Sequence, residues 1–509
     1  MLFNSYAFLF LFLPLALAGY HVAARLRRSA AILWLGLVSL SFYAIWRPAY
    51  VLLLIGSIAF NFLIASLISR SIANRITPPS LLWIGIATNL GALAYFKYLF
   101  PLLNALVPGH TWSSVVLPLG ISFFTFTQIA YLIDLEQGSA TPEDLPGYLL
   151  FVAFFPHLIA GPILHHSEMM PQFRRAGRSR LSLADCTVGL SWFVMGLGKK
   201  VLLADSFAKT ANVVYGHQAP LTAILSWRGI LCYALQLYFD FSGYSDMALG
   251  LARMFSIDFP LNFASPYKAT SIIDYWQRWH ITLTRYVTAY LYNPLQLWIT
   301  ALRQARGQRV SRKALATPGG FLGMMAFPLL VTFLITGVWH GAGPKYLVFG
   351  LIHGVYLTLN HAWRIFRPRS AAAALHRTVG STLLTFLAVI AAQTFFRGDS
   401  CRHALDILAG TLGLHGRGAW RLPNESAAAA AADLAALAAG LYIVWFLPNT
   451  QQILRRFKPA IGLTQWDEAP TPSAFLWRPG LPWAFALCTV FFLSLVYLQQ
   501  PSTFLYFQF

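Results

Sequence analysis

Long apolar runs separated by short basic clusters dominate the pattern of hydrophobic and polar positions along this chain. Roughly a dozen runs are apolar enough to enter a membrane, and each is expected to form a helix. They lie at about Leu2–Tyr20, Ala31–Ile45, Tyr50–Ile68, Leu81–Val107, Val115–Leu135, Tyr148–Leu164, Leu183–Gly198, Ile224–Leu251, Phe321–Trp339, Tyr346–Trp363, Thr378–Phe396, Ala430–Leu447 and Pro482–Leu498. The pattern predicts an all-α polytopic membrane protein with roughly 11–13 membrane-embedded segments. We interpret residues 1–509 as a single integral membrane domain.

Composition supports this interpretation. Hydrophobic residues make up 57% of the chain and charged residues only 11%, whereas a soluble protein carries about 25% charged residues. The net charge of +20 lies in short clusters between the apolar runs, as expected for cytoplasmic loops of a membrane protein. Anionic membrane lipids are therefore the expected partners of these charges, and nucleic acid is not.

The basic clusters also predict topology. Arg25–Arg28 follow the first run, so the N-terminus is expected outside and the arginines in the cytoplasm. The next acidic and basic flanks, at Glu136 and Arg174–Arg180, both fit the cytoplasmic side. The run Tyr148–Leu164 between them therefore cannot cross the membrane a single time. Two prolines and a glycine interrupt this run. We predict a re-entrant motif at residues 155–163, sheltered by protein.

An aromatic and basic segment at residues 265–299 is too polar to face lipid and too aromatic for a solvated loop. It is predicted to lie at the membrane interface or inside a protein cavity. Asp274 and Arg278 are four residues apart and can pair across one helical turn. Such a pair could direct His280 into a cavity. An aromatic belt at the membrane interface is the alternative.

A second histidine ends a strongly apolar run at residues 321–343. His340 lies between Trp339 and Gly341, and the neighbouring glycines allow close backbone approach. A neutral imidazole there could accept a proton from an attacking hydroxyl. An interfacial histidine that caps a helix end is the alternative interpretation.

A third polar group interrupts the apolar run around Gln236–Met247. Asp240 and Tyr244 are four residues apart, as are Ser242 and Asp246. Ionisable side chains in a membrane segment are costly and indicate function by default. The polar side could line a cavity, or it could hydrogen-bond to neighbouring helices without a chemical role. The Ala-rich stretch Ser426–Gly440, with its single Asp433, is expected to carry no chemistry.

Five motifs occur in one order along the chain: Pro118–Phe124, Phe155–Pro162, Gln236–Met247, Trp276–His280 and Val338–Gly341. Together they resemble the membrane-bound O-acyltransferase family, and within it the members that O-acetylate alginate. The resemblance implies a helical ring around a central funnel with re-entrant segments. It also implies that His340 and His280 are the catalytic residues. The side chains expected to bind substrate are Trp339, Trp279, Arg278, Asp240, Ser242, Tyr244 and Asp246.

The resemblance implies an enzyme of the inner membrane that takes acetyl from cytoplasmic acetyl-CoA and O-acetylates an exopolysaccharide in the periplasm. His340 would activate the acceptor hydroxyl, and His280 would orient a substrate or stabilise the oxyanion. No bound cofactor or metal is expected. The expected partners are a periplasmic, esterase-like acetyltransferase and the polysaccharide synthesis machinery.

One segment departs from the alginate pattern, because Val287–Leu295 lacks the Arg-Asp pair usual there. Another polymer, such as cellulose, is therefore a further possible acceptor. Transfer of D-alanyl or fatty acyl groups is an alternative activity. A proton-coupled transporter is a third, although the chain shows no internal repeat of the kind many transporters have.

Overall fold

A computed structural model describes the chain except for residues 75–78, 108, 110–111, 113–114, 176–181, 218–219, 368–374, 423–424, 459, 463–470, 499–504 and 506–509. The predicted cytoplasmic arginines Arg178 and Arg180 lie outside the described residues. The chain divides into two compact units that are interleaved in sequence. The first comprises residues 1–202, 241–261 and 450–508, and the second comprises residues 203–240, 262–449 and 509.

Both units are helical, as the apolar runs predict. Eight described helices are long and apolar enough to cross a membrane, so the chain is an all-α polytopic membrane protein. They are Phe8–Leu26, Arg28–Trp46, Pro48–Ala73, Ser80–Leu106, Leu183–Tyr215, Pro318–His340, Thr378–Arg397 and Ala427–Phe446. The other predicted runs contain helices that are shorter or more polar, and Val115–Leu135 and Tyr148–Leu164 are helical only in part. The count of 11–13 embedded segments and the single-domain interpretation stay predictions.

Further helices complete the two units. In the first unit they are Ile121–Glu136, Leu145–Ala153, Phe155–Leu158, His166–Arg175, Thr450–Leu454 and Leu481–Tyr497. In the second they are Ile272–Trp276, Ile281–Val287, Asn293–Ala305, Arg312–Leu315, Pro344–Phe366 and Cys401–Thr411. The long helix Ala223–Met254 contributes residues to both units. Within the described part of the chain, extended pairing is limited to two isolated bridges, Pro260 with Ile461 and Phe263 with Trp279.

Close helix packing in the first unit depends on glycine. A Cβ atom at Gly250 would lie 2.5 Å from the carbonyl oxygen of Gly189, and one at Gly196 would lie 2.6 Å from that of Gly243. These distances are far below van der Waals contact, so the two backbones can approach only because no side chain intervenes. Small residues of this kind are typical where membrane helices pack tightly.

The predicted interruption near residue 155 is present. The helix Leu145–Ala153 ends at Phe154, whose ψ of 112° leaves the helical region. The one-turn helix Phe155–Leu158 follows, and every residue from 150 to 164 is buried. The run is therefore not one continuous helix, and its non-helical backbone is covered by protein, as a bilayer requires. That it enters and leaves on one side of the membrane stays a prediction.

The Ala-rich helix Ala427–Phe446 belongs to a buried ionic network. Arg228, whose side chain is 0% exposed, donates to both carboxylate oxygens of Glu425 at 2.7 and 2.6 Å and to Asp433 at 2.8 Å. Asp433 also accepts a hydrogen bond from the Thr210 hydroxyl at 2.9 Å. Asp433 therefore joins three helices of the second unit, a structural role that the local composition did not indicate.

Candidate active site

His280 lies at a sharp change of backbone direction in the second unit. It adopts the left-handed conformation, with φ 45° and ψ 53°, immediately before the helix Ile281–Val287. The Ala264 amide donates to the carbonyl of Arg278 at 2.9 Å, and the Ile281 amide donates to the carbonyl of Asn262 at 3.0 Å. The backbone on both sides of His280 is thus tied to residues 262–264, which hold this uncommon conformation.

The predicted pair across one turn is confirmed, because Arg278 Nε donates to Asp274 Oδ1 at 2.7 Å. A second guanidinium nitrogen of Arg278 donates to the carbonyl of Ala264 at 3.3 Å. Arg278 is therefore committed to holding the turn before His280. Trp279 packs edge-on against Phe263, with ring centroids 5.1 Å apart.

Asn262 determines which nitrogen of His280 carries the proton. Its Oδ1 accepts the backbone N–H of Thr282 at 3.3 Å and the Thr282 hydroxyl at 3.0 Å. Because a backbone amide can only donate, this atom is the amide oxygen. It lies 3.0 Å from His280 Nδ1, so Nδ1 must donate a proton to it. The lone pair of the neutral ring is therefore on Nε2.

The ring of His280 is 1% exposed. Burial lowers its pKa to about 3, because desolvation disfavours the charged imidazolium. The side chain is neutral at pH 7 and can accept a hydrogen bond through Nε2. It is a weak base, so it is better suited to orient a hydroxyl group than to remove its proton.

His340 is the last residue of the helix Phe327–His340. Its ring packs edge-on against Phe349 and Phe396, with centroids 5.8 and 5.1 Å away, and Trp339 lies beside it at 4.7 Å. The following helix, Pro344–Phe366, approaches closely because both helices carry a glycine at the contact. A Cβ atom at Gly350 would lie only 2.3 Å from a carbonyl oxygen of the His340 helix.

Five rings join the two histidine motifs, and we call them the aromatic cluster. Trp276, four residues before His280, packs against Phe333 of the His340 helix at 5.0 Å. Trp276 also donates its indole N–H to His353 Nδ1 at 3.3 Å. The ring of His353 packs at 4.8 Å against Phe349, which in turn contacts His340. The cluster is Trp276, Phe333, His340, Phe349 and His353, all in the second unit.

The predicted substrate-binding residues divide between the units. Trp339, Trp279, Arg278 and Asp240 belong to the second unit, and Asp240 is buried at 2% exposure. Ser242, Tyr244 and Asp246 belong to the first unit. The role of all seven side chains in binding substrate stays a prediction.

Asp246 is fully engaged by protein groups. Its carboxylate accepts from Trp192 Nε1 at 3.0 Å, from Lys199 Nζ at 2.6 Å and from the Thr450 hydroxyl at 2.8 Å. Tyr244 stacks on Phe3 with centroids 4.9 Å apart. These contacts favour the alternative interpretation for this end of the motif, namely hydrogen bonding between helices.

Two residues of the site were missed by sequence reasoning. His353 lies in an apolar run near Gly350 and Gly354, the same pattern that singled out His340, and could have been found. Asn262 offered no local signal, because its contact with His280 spans 18 residues and depends on how the loop folds.

Comparison with known proteins identifies the family of this chain. Residues 135–310 match the model of the membrane-bound O-acyltransferase family, and the chain belongs to this family of membrane acyltransferases. It is 38% identical to the peptidoglycan O-acetyltransferase of Helicobacter pylori, over 84% of this chain and 82% of that protein.

The chain is also 33% identical to the probable alginate O-acetylase AlgI of Pseudomonas aeruginosa, over 90% of this chain and 82% of the relative. It is 25% identical to the teichoic acid D-alanyltransferase of Bacillus subtilis, over 72% and 87%. The resemblance inferred from the five motifs is confirmed, and the chain is an acyltransferase.

Proposed function

We propose that this enzyme transfers acetyl from cytoplasmic acetyl-CoA, across the inner membrane, to a hydroxyl group destined for an extracytoplasmic glycan. The observation that carries the proposal is the convergence of the His280 and His340 motifs on one aromatic cluster. The cluster holds the imidazole of His340 among apolar rings, so a proton-transfer group lies in a region of low polarity. This is the environment that acyl transfer to a hydroxyl, rather than to water, requires.

In the proposed reaction, His340 accepts the proton of the acceptor hydroxyl as its oxygen attacks the acetyl carbonyl carbon. The carbon–sulfur bond then breaks, and the departing thiolate takes up the proton from His340. The products are an acetyl ester and free coenzyme A, so atoms and charges balance. His340 thus serves first as general base and then as general acid.

The tautomer of His280 supports one of its two predicted roles over the other. With the proton on Nδ1, Nε2 accepts a hydrogen bond and has none to donate to an oxyanion. We therefore assign His280 to orienting the acceptor hydroxyl. A positioned acceptor of this kind lowers the entropic cost of bringing the hydroxyl to the thioester.

We propose an exopolysaccharide, alginate-like or cellulose, as the final acceptor, reached through a periplasmic esterase-like acetyltransferase and the polymer synthesis machinery. Peptidoglycan is a second candidate, and the 38% identity to a peptidoglycan O-acetyltransferase favours it. D-alanyl transfer is supported only by a relative at 25% identity. Polymer analysis of a deletion strain distinguishes these three activities, because each predicts the loss of a different ester.

The direct test measures transfer of labelled acetyl from acetyl-CoA in membrane vesicles. His340→Ala is expected to lower the rate by about 10²–10⁴-fold, the usual effect of removing a general base. His280→Ala is expected to lower it less. The matched control is His415→Ala, because His415 contacts the carbonyl of Leu221 at 3.2 Å and lies outside the aromatic cluster.

All variants are compared at equal membrane abundance and equal unfolding temperature. If folded His340→Ala transfers acetyl at the wild-type rate, the mechanism is wrong. If His415→Ala is as damaging as His340→Ala, the loss does not report on this site.

A further inference from the structure

A charged cavity in the first unit stands apart from the chemistry proposed above. Its volume is about 550 Å³, and three arginines and two acidic residues line it: Arg28, Arg174, Arg175, Glu143 and Asp144. Cavities of about 300–1,000 Å³ are typical of sites for small ligands. The side chains come from three elements that are distant in sequence, so the cavity is formed by the fold.

The charges that line the cavity do not balance. Glu143 is committed to Arg174, with which it forms an ion pair. Asp144 Oδ1 accepts the backbone N–H of Gly147 at 2.9 Å and so caps a helix. Three guanidinium groups face two carboxylates, which leaves one positive charge in excess.

Arg28 is one of the three arginines that share this excess. Its Nε is shielded from solvent and has no hydrogen-bond partner among the described residues. A shielded donor without an acceptor is unfavourable. Arg28 also lines the cavity, and a single negative charge there would neutralise the excess.

The position of the cavity identifies the type of anion. Arg28 begins one candidate membrane-spanning helix, and the preceding one ends at Leu26. Arginines at the ends of membrane helices lie at the level of the lipid headgroups. Ile32, one turn into the same helix, adds an apolar wall to the cavity. The site therefore combines a cationic mouth with an apolar surface at the depth where a glycerophospholipid places its phosphate above its acyl chains.

We propose that this cavity binds the phosphodiester of a membrane phospholipid, with Arg28 as its principal ligand. A phosphodiester carries one negative charge, which matches the excess. The several phosphate groups of coenzyme A would place much more negative charge beside Glu143 and Asp144, and the cavity is correspondingly unsuited to them. Basic cavities between membrane helices bind lipid headgroups in this way.

Native mass spectrometry of the purified full chain tests the proposal, with phosphatidylglycerol as the probe and diacylglycerol of the same acyl chains as the phosphate-free comparison. Phosphatidylglycerol is expected to be retained and diacylglycerol lost. Arg28→Gln should weaken retention about tenfold, the effect of losing one charge-assisted hydrogen bond. Arg47→Gln, at the other end of the same helix, should retain the lipid like the wild type.

Asp144→Asn provides a test in which lipid binding is expected to become tighter instead of weaker. Asparagine caps a helix as well as aspartate does, so this variant should fold, and the loss of a negative charge should tighten phosphatidylglycerol binding. Equal retention by wild type, Arg28→Gln and Asp144→Asn would overturn the proposal. Displacement of the lipid by free coenzyme A would also overturn it, and would assign the cavity to the thioester donor instead.

Discussion

The hydrogen bond between Asn262 and His280 gives the sharpest prediction about turnover. Asn262→Ala removes the oxygen that accepts the His280 Nδ1 proton at 3.0 Å and the Thr282 amide at 3.3 Å. A buried donor that loses its acceptor costs about 1–3 kcal/mol. If the reactive geometry depends on the His280 bond alone, the rate of acetyl transfer falls by about 5- to 150-fold.

Asn262→Asp keeps an oxygen at the same place and should therefore retain more activity than Asn262→Ala at neutral pH. A carboxylate beside His280 stabilises the imidazolium and raises the pKa of the ring above its value of about 3. Because only the neutral ring accepts a hydrogen bond through Nε2, activity should be lost at a higher pH on acidification. The acidic limb of the pH–rate profile therefore moves to higher pH.

The assay is labelled acetyl transfer in vesicles, measured from about pH 3 to pH 8 so that the range includes the pKa of His280. Asn89→Ala is the control, because Asn89 is also buried and exchanges amide hydrogen bonds with Asn61 at 2.6 and 3.2 Å. The reasoning fails if Asn262→Ala transfers acetyl as fast as Asn89→Ala. It also fails if the profile of Asn262→Asp coincides with that of the wild type.

Three further substitutions test the packing and the buried charges. Gly350→Ala places a Cβ atom 2.3 Å from a neighbouring backbone oxygen. The unfolding temperature and the activity should therefore both fall, at a cost of about 1–3 kcal/mol. Gly380→Ala, with open space around the new Cβ atom, should lower neither. Arg228→Met leaves the partly exposed carboxylates of Glu425 and Asp433 without their cation and should destabilise the protein by about 1–3 kcal/mol in thermal unfolding. Asp246→Asn weakens the ion pair with Lys199 and should lower the unfolding temperature without changing the KM for acetyl-CoA. A raised KM would instead indicate that Asp246 binds the substrate.

Local sequence patterns anticipated the helices well. The run Tyr50–Ile68 is part of the helix Pro48–Ala73, and the run Thr378–Phe396 is part of Thr378–Arg397. A long apolar run predicts such a helix because, inside a bilayer, a helix satisfies the backbone hydrogen bonds within its own segment. The interruption at Phe154 was equally predictable, since prolines and glycine act on the backbone where they stand.

Contacts between distant segments were not predictable in this way. Asp433 lies in a stretch that is otherwise mostly alanine, and its partner Arg228 is 205 residues away. The tautomer of His280 likewise depends on an amide oxygen brought into place by a loop. Both follow from the balance of buried donors and acceptors, which only the folded arrangement reveals.

The left-handed backbone at His280 restricts which amino acids evolution can try there. Histidine and asparagine are, with glycine and aspartate, the residues that tolerate this conformation best. The codons of these two amino acids differ by one base, so a single nucleotide change exchanges an imidazole for an amide without disturbing the turn. β-branched or bulky replacements, by contrast, would strain the turn whatever their chemistry.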